Sequence, residues 1–216
     1  MSKPTEIKGQ PALTFADPAG GTKPGTIYIG AEYCPYCAAQ RWSVVAALSR
    51  FGTFTNLGVT ESSSTDVFPN TQTLSFYKAT FSSPYVVFQG IEQSSNVSDP
   101  TTGYKKLQSL TKAQSALIAK YDTAKYLKGA SPGSIPFLDV GNRFLSAGSS
   151  FSPSILSGLS RSDIASNLSD PTNPATQAII ATANYLTASI CATTNQQPSS
   201  VCGSKGVKAA ATDMGL

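Results

Sequence analysis

Chemistry in this chain has to come from sulfur. Its 216 residues include no histidine, which removes Ser-His and Cys-His nucleophile pairs and every imidazole metal site. Four cysteines remain as the groups with a recognisable arrangement. Cys34 and Cys37 enclose Pro35 and Tyr36, whereas Cys191 and Cys202 flank a Thr-Asn-Gln-Gln-Pro-Ser loop near the C-terminus. Disulfide exchange needs one thiolate that attacks and a second thiol close enough to displace the mixed disulfide that results, and the Cys34-Pro-Tyr-Cys37 spacing meets both needs. Zinc is a poor fit, because structural zinc sites draw on a second close cysteine pair or on histidines. Cys191 and Cys202 read instead as a structural disulfide, whose loop closure is worth about 3 kcal/mol.

The elements around the first pair must aim it. Thr26 to Gly30 reads as a short buried strand, and Ala38 to Phe51 as a helix with Trp42, Val45, Ala46 and Ser49 on one side. The two cysteines then lie where a strand ends and a helix begins. Pro35 suits the first turn, where a missing amide proton costs nothing. Unpaired amides and the positive end of the helix dipole should hold the Cys34 thiol below the free value of ~8.5. Cys34 is thus the expected attacking sulfur and Cys37 the resolving one.

Further along, Phe54 to Val59 reads as a second strand closed by the polar loop from Glu61. Leu74–Phe81 and Tyr85–Glu92 read as a hairpin-like insertion, and residues 93 to 103 as loop. The stripe Leu110, Ala113, Leu117, Tyr121, Ala124, Leu127 predicts a helix opening near Thr111 and ending at Gly129. Two strands, 133–140 and 143–145, meet at a tight Gly141-Asn142 turn. Ser160 to Leu168 predicts a short helix capped by Ser160, and Pro174 to Ala192 a longer one burying Ile179, Ala183, Leu186 and Ile190. This order predicts an α/β fold with a mixed sheet flanked by helices. The expectation is a single domain over 1–203, with a β and helical insertion at about 62–130 between the cysteine-bearing helix and the Pro136 strand. Residues 204–216 are expected to be a frayed, flexible tail.

Ala31-Glu32-Tyr33-Cys34-Pro35-Tyr36-Cys37 resembles the active-site stretch of thioredoxins, with the Pro-Tyr interior typical of glutaredoxins. Ser134-Ile135-Pro136-Phe137-Leu138 resembles the cis-proline strand start of the same superfamily. The resemblance extends to the enlarged, DsbA-like or uncharacterised secreted branches, since nearly 100 residues separate Cys37 from Pro136. It implies a thioredoxin-like fold, a cis Pro136 standing opposite the motif, and substrate-binding roles for Tyr36, Ile135 and Pro136. It also marks a departure: those proteins carry a buried carboxylate six residues before the first cysteine, where this chain has Tyr28.

Composition narrows the partners. The net charge of +4 is scattered, without a basic run to follow a phosphate backbone, so nucleic acid is not an expected partner. No window approaches the apolar run that a membrane span requires. Only 13% of residues are charged, a balance that with the Cys191–Cys202 bridge points to an extracytoplasmic or secreted protein, membrane-anchored if the full gene product encodes an anchor. The expected function is thiol-disulfide exchange with protein or peptide thiols, as a disulfide oxidoreductase or isomerase, with no cofactor and no metal. The alternatives are a non-catalytic binding module that keeps the fold, and a redox domain serving a membrane partner.

Overall fold

The computed structural model describes residues 1–129 and 131–216. After the short strands β1 (Thr5–Glu6) and β2 (Thr14–Ala16) comes β3 (Thr22–Gly30), buried from Gly25 to its end. Helix α1 (Pro35–Leu48) follows, then β4 (Thr53–Thr55), β5 (Gly58–Glu61), β6 (Gln72–Ser75), β7 (Thr80–Ser82) and β8 (Val87–Glu92). The chain goes on through β9 (Ser94–Asp99), β10 (Gly103–Lys106), α2 (Lys112–Tyr121), β11 (Phe137–Val140) and β12 (Phe144–Ala147). It closes with α3 (Arg161–Asn167), α4 (Pro174–Thr193), α5 (Ser199–Cys202) and α6 (Lys205–Met214).

The central sheet runs β1-β12-β11-β3-β2, and the second half of β3 pairs in parallel with β8. All its other pairings are antiparallel, so the fold is α/β with a mixed sheet. One face of the sheet, through Tyr28, Leu138 and Val140, packs on α1, α4 and α6. The other, through Ile27, Ile29 and Phe137, is covered by Tyr121, Leu127 and partly buried residues of α2. Small antiparallel pairs β4–β7, β5–β6 and β9–β10 are added outside the sheet.

Pairing corrects several sequence expectations. Leu74–Phe81 and Tyr85–Glu92 do not form a hairpin with each other: the first run splits between β6 and β7, and the second is β8, an integral strand of the central sheet. The expected insertion therefore brackets a core element, and its boundary at residue 130 lies outside the described residues. Phe54 to Val59 is not one strand, since Asn56 turns the chain at φ 56° between β4 and β5. The expected loop at 93–103 contains β9 and leads into β10, because its polar residues satisfy their backbone across a hairpin rather than by an apolar face.

Helix boundaries follow their caps. Thr111 forms a capping box with Gln114, and Ser160 forms one with Asp163. Helix α2 stops at Tyr121 rather than Gly129: Asp122 leaves helical geometry and its carboxylate accepts the Gly133 N–H at 2.7 Å. The tail expected to fray forms α6, which buries Val207 and Ala210 in the same cluster as Leu186 and Ile190 of α4. Small residues gave it little apolar signal, yet they allow the close approach that packs it.

Helix α1 is buried nearly all round, so no single stripe describes it. Val44, Ala47 and Leu48 are in the core, whereas the expected Val45 and Ala46 are only half-buried and Ser49 is exposed. Trp42 is buried as expected, and its indole N–H donates to the Gln72 carbonyl at 3.0 Å. Polar side chains that this helix buries reach across the fold: Ser43 Oγ donates to the Ile179 carbonyl at 3.1 Å, and Gln40 Oε1 accepts the Ser150 N–H at 2.9 Å, while Gln40 Nε2 and Arg41 Nη1 have no partner.

Candidate functional site

Residue 34 is the N-cap of α1. Its backbone is extended (φ −78°, ψ 121°), Pro35 takes the first helical position, and Cys34 Sγ accepts the Cys37 N–H at 3.2 Å. A sulfur is here in the place usually held by a serine or aspartate oxygen. Both cysteines are free thiols, and both are buried: Cys34 is 6% exposed and Cys37 0%. The first thiol is thus less open than a freely accessible nucleophile would be.

The two sulfurs ionise in opposite senses. Hydrogen bonding from the Cys37 thiol, then from the Cys37 and Tyr36 backbone amides, together with the nearby Arg41 charge, holds the Cys34 thiol below its ordinary value against the opposing effect of burial. Burial first, then the hydrogen bond to Cys34 and that sulfur's charge, pushes the Cys37 thiol well up. A proton is therefore lost from Cys34 first, and Cys37 stays protonated.

Opposite the motif, the Ile135–Pro136 peptide is cis, and the Ile135 carbonyl lies 3.8 Å from Cys34 Sγ. The structure thus brings Cys34, Cys37, Ile135 and Pro136 together from segments about a hundred residues apart. Tyr36 lies on the rim, 40% exposed, with its ring edge-on to Phe68 at 5.9 Å. Val67, next to Phe68, is also largely exposed. On the other side Tyr33 stacks on Tyr104 of β10 at 4.2 Å, the Ser63 N–H donates to the Tyr33 carbonyl at 2.8 Å, and the Tyr104 hydroxyl bonds Ser63 Oγ at 2.8 Å. The small sheets added to the fold thereby grip the loop before Cys34.

Sequence reasoning missed the charges beneath the motif. Arg41, one helical turn after Cys37, is 0% exposed and donates from Nε to Glu92 Oε1 at 2.8 Å and from Nη2 to Glu92 Oε2 at 2.7 Å. Its Nη2 also donates to the Ala31 carbonyl at 2.6 Å, tying α1 to the turn that leads into Cys34. Glu92, likewise 0% exposed, ends β8 opposite Gly30 and accepts the Phe76 N–H at 3.4 Å. Burial pushes the Glu92 carboxyl up against the pull of Arg41. The signal was present in a lone Arg inside an otherwise uncharged helix and a Glu ending an apolar strand, but only the parallel β3–β8 pairing makes them neighbours. Tyr28, in the position flagged by sequence, is 0% exposed, and its hydroxyl has no partner.

Cys191 and Cys202 form a disulfide joining the end of α4 to α5, away from the motif. Among the described residues no group of histidine, cysteine or acidic side chains is arranged to hold a metal ion, and no helix is long and apolar enough to cross a membrane.

The family described as Domain of unknown function (DUF929) matches residues 13–192, and the chain belongs to that family. The match includes Cys34, Cys37, Arg41, Glu92 and Pro136, and ends before Cys202 and α6. Neither the curated proteins nor the solved structures give a match.

Proposed function

We propose that this member of the DUF929 family is a thiol-disulfide oxidoreductase with a thioredoxin-like architecture, exchanging disulfides with protein or peptide thiols through Cys34 and Cys37. The observation that carries the reading is the Cys34 sulfur at the N-cap of α1, with its pKa lowered, a protonated Cys37 one turn on, and the Ile135 carbonyl across from it. Cys34 thiolate attacks a substrate disulfide and one substrate sulfur leaves. Cys37 then displaces the second from the mixed disulfide, so the cysteine pair is oxidised as the substrate is reduced. Run backwards, the same steps oxidise a substrate dithiol.

Tyr36 and the Ile135–Pro136 segment would line the groove for an extended substrate, whose backbone would hydrogen-bond to Ile135. Phe68 joins them through its contact with Tyr36. The chemistry uses no metal and no nucleotide. The Cys191–Cys202 disulfide favours an oxidising, extracytoplasmic setting, in which a membrane redox partner is a reasonable counterpart.

In Cys37→Ser, a peptide disulfide should leave an adduct on Cys34 that persists, detected as an added mass. Wild type should release the same peptide, and Cys34→Ser should form no adduct. If Cys37→Ser captures nothing while its fold is intact, the assignment of roles is wrong. The low exposure of Cys34 favours a second reading, a binding module with an inert thiol pair. That reading requires the oxidised pair to resist glutathione in folded protein.

A further inference from the structure

We infer that residues 62–71 form a selecting arm beside the motif, one that favours disulfide-bearing peptides with a large apolar side chain next to the cysteine and no acidic one. This rests on the exchange reaction proposed above and names the substrate it would choose. Residues 62–71 close the hairpin of β5 and β6, whose last pair is Glu61 with Gln72. Hairpins commonly close with about two to five residues, so this segment is longer than closure needs.

Its side chains are placed the reverse of what water favours. Ser62, Ser63 and Thr71 are buried, whereas Val67 is 67% exposed and Phe68 only half-buried. The buried hydroxyls form the frame. Ser62 Oγ and Thr71 Oγ1 both donate to the Phe68 carbonyl, at 2.8 and 3.0 Å, and Ser62 Oγ accepts the Thr71 N–H at 2.9 Å. At the tip the Val67 N–H donates to Asp66 Oδ1 at 2.6 Å. Bonds on both sides of Val67 thus fix its place before anything binds. A valine that far exposed buries little surface in the fold, and a polar residue would serve the tip as well.

A lone exposed valine would mean little. This one adjoins Phe68, whose ring meets that of Tyr36 edge-on at 5.9 Å, and Tyr36 lies between the two cysteines. Ser63 ties the same segment to the motif from the other side, donating its N–H to the Tyr33 carbonyl at 2.8 Å. An apolar strip therefore leads from the motif to Val67 and extends the Tyr36 end of the groove proposed above. It sheds water only against another apolar group. The charges alongside sharpen the choice. Residues 31–40 and 58–72 carry Glu32, Glu61 and Asp66 and no Lys or Arg, although the whole chain is +4. Arg41 and Arg161 approach these segments already engaged, Arg41 by Glu92 and Arg161 by the Thr60 carbonyl and the Gln72 side chain. An acidic residue on the peptide would meet like charge here, and a lysine would not.

The test uses Cys37→Ser, in which reaction stops at Cys34, and short peptides whose cysteine is disulfide-bonded to thionitrobenzoate. The Cys34 thiolate bonds to the peptide sulfur, the bond to thionitrobenzoate breaks, and the coloured thiolate leaves with the electron pair. The peptides differ in the residue before the cysteine, which is Phe, Lys, Ser or Asp. The Phe peptide should react about 10-fold faster than the Ser peptide, and the Asp peptide slowest of all. Adding Val67→Ser should bring the Phe-to-Ser ratio to about 1, whereas Val67→Ile should preserve it. Damage to the thiol itself would slow every peptide alike and leave the ratio unchanged. Equal rates for Phe and Ser, a ratio that Val67→Ser leaves unmoved, or an Asp peptide as fast as the Lys peptide would each overturn the inference. As a second readout, fluorescein-labelled Phe and Ser peptides with serine for cysteine are titrated by anisotropy into the Cys34→Ser, Cys37→Ser double variant. The Phe peptide should bind more tightly and lose that margin when Val67→Ser is added, and equal affinities also overturn the inference. If Cys34 reacts with none of the peptides, the exchange reaction fails, while these affinities still decide the role of the arm.

Discussion

At the scale of single residues, burial sets the ionisation of carboxyl groups as strongly as it does that of the thiols. Asp139 lies one residue before the end of β11, where Oδ1 accepts the Asn142 N–H at 2.7 Å and Oδ2 has no partner. Burial lifts its pKa to about 7. The unfolded chain would titrate the same group near ~3.9. Between these values the folded protein holds more protons than the unfolded one, so stability falls as pH rises from about 4 to about 7 and stays lowered above that. Asp139→Asn keeps the acceptor for Asn142 and removes the charge. At about pH 8 it should be more stable than wild type by on the order of 1–4 kcal/mol, and equal to it near about pH 4, as read by urea denaturation. A variant no more stable at the higher pH would mean that the carboxyl ionises freely in the fold. Cys34, Cys37, Cys191 and Cys202 were all legible as residues, since their types and spacings carry the chemistry by themselves. Arg41 and Glu92 were not: each is an ordinary charged residue until its partner is known.

Elements explain how the motif is held. The turn from Ala31 to Cys34 has few internal bonds and borrows its order from the added strands. Glu32 N–H donates to the Ser94 carbonyl of β9 at 2.8 Å, and Tyr33 is pinned by Ser63 and Tyr104. Tyr104→Ala removes the stacked ring and the hydroxyl bond at once, and should cost roughly 1–3 kcal/mol in denaturant unfolding. It should also speed iodoacetamide alkylation of Cys34, because the loop leading into that thiol loses its anchor. An unchanged alkylation rate would assign the hairpin to stability alone. The helices α1 and α3 and the β11–β12 turn were readable from Pro35, the Ser160 cap and Gly141-Asn142, which act locally, and α4 from the spacing of its apolar residues. The partners of β4 to β8 were not readable, because a strand run does not carry the address of its neighbour.

For the molecule as a whole, the disulfide and the Cys34–Cys37 pair lie in separate regions. The Cys191–Cys202 bridge closes a short loop at the end of α4 and belongs to the cluster in which α6 buries Val207 and Ala210. Replacing both cysteines by alanine should lower stability by about 3 kcal/mol, measured in urea, while leaving the pH dependence of Cys34 alkylation where it is in wild type. A shifted Cys34 titration would show that the C-terminal helices reach the motif.

The sequence by itself determined which atoms could react, where a helix would start beside them, and that a second cysteine pair would serve as a staple. These follow from residue type and from contacts within a few positions along the chain. Tertiary structure alone decided that β8 joins β3 in parallel, that Arg41 and Glu92 meet under the sulfurs, and that the Tyr28 hydroxyl is buried without a partner. Those depend on pairing between distant segments, where the free energy comes from excluding water from both partners together, and no local pattern records which two they will be.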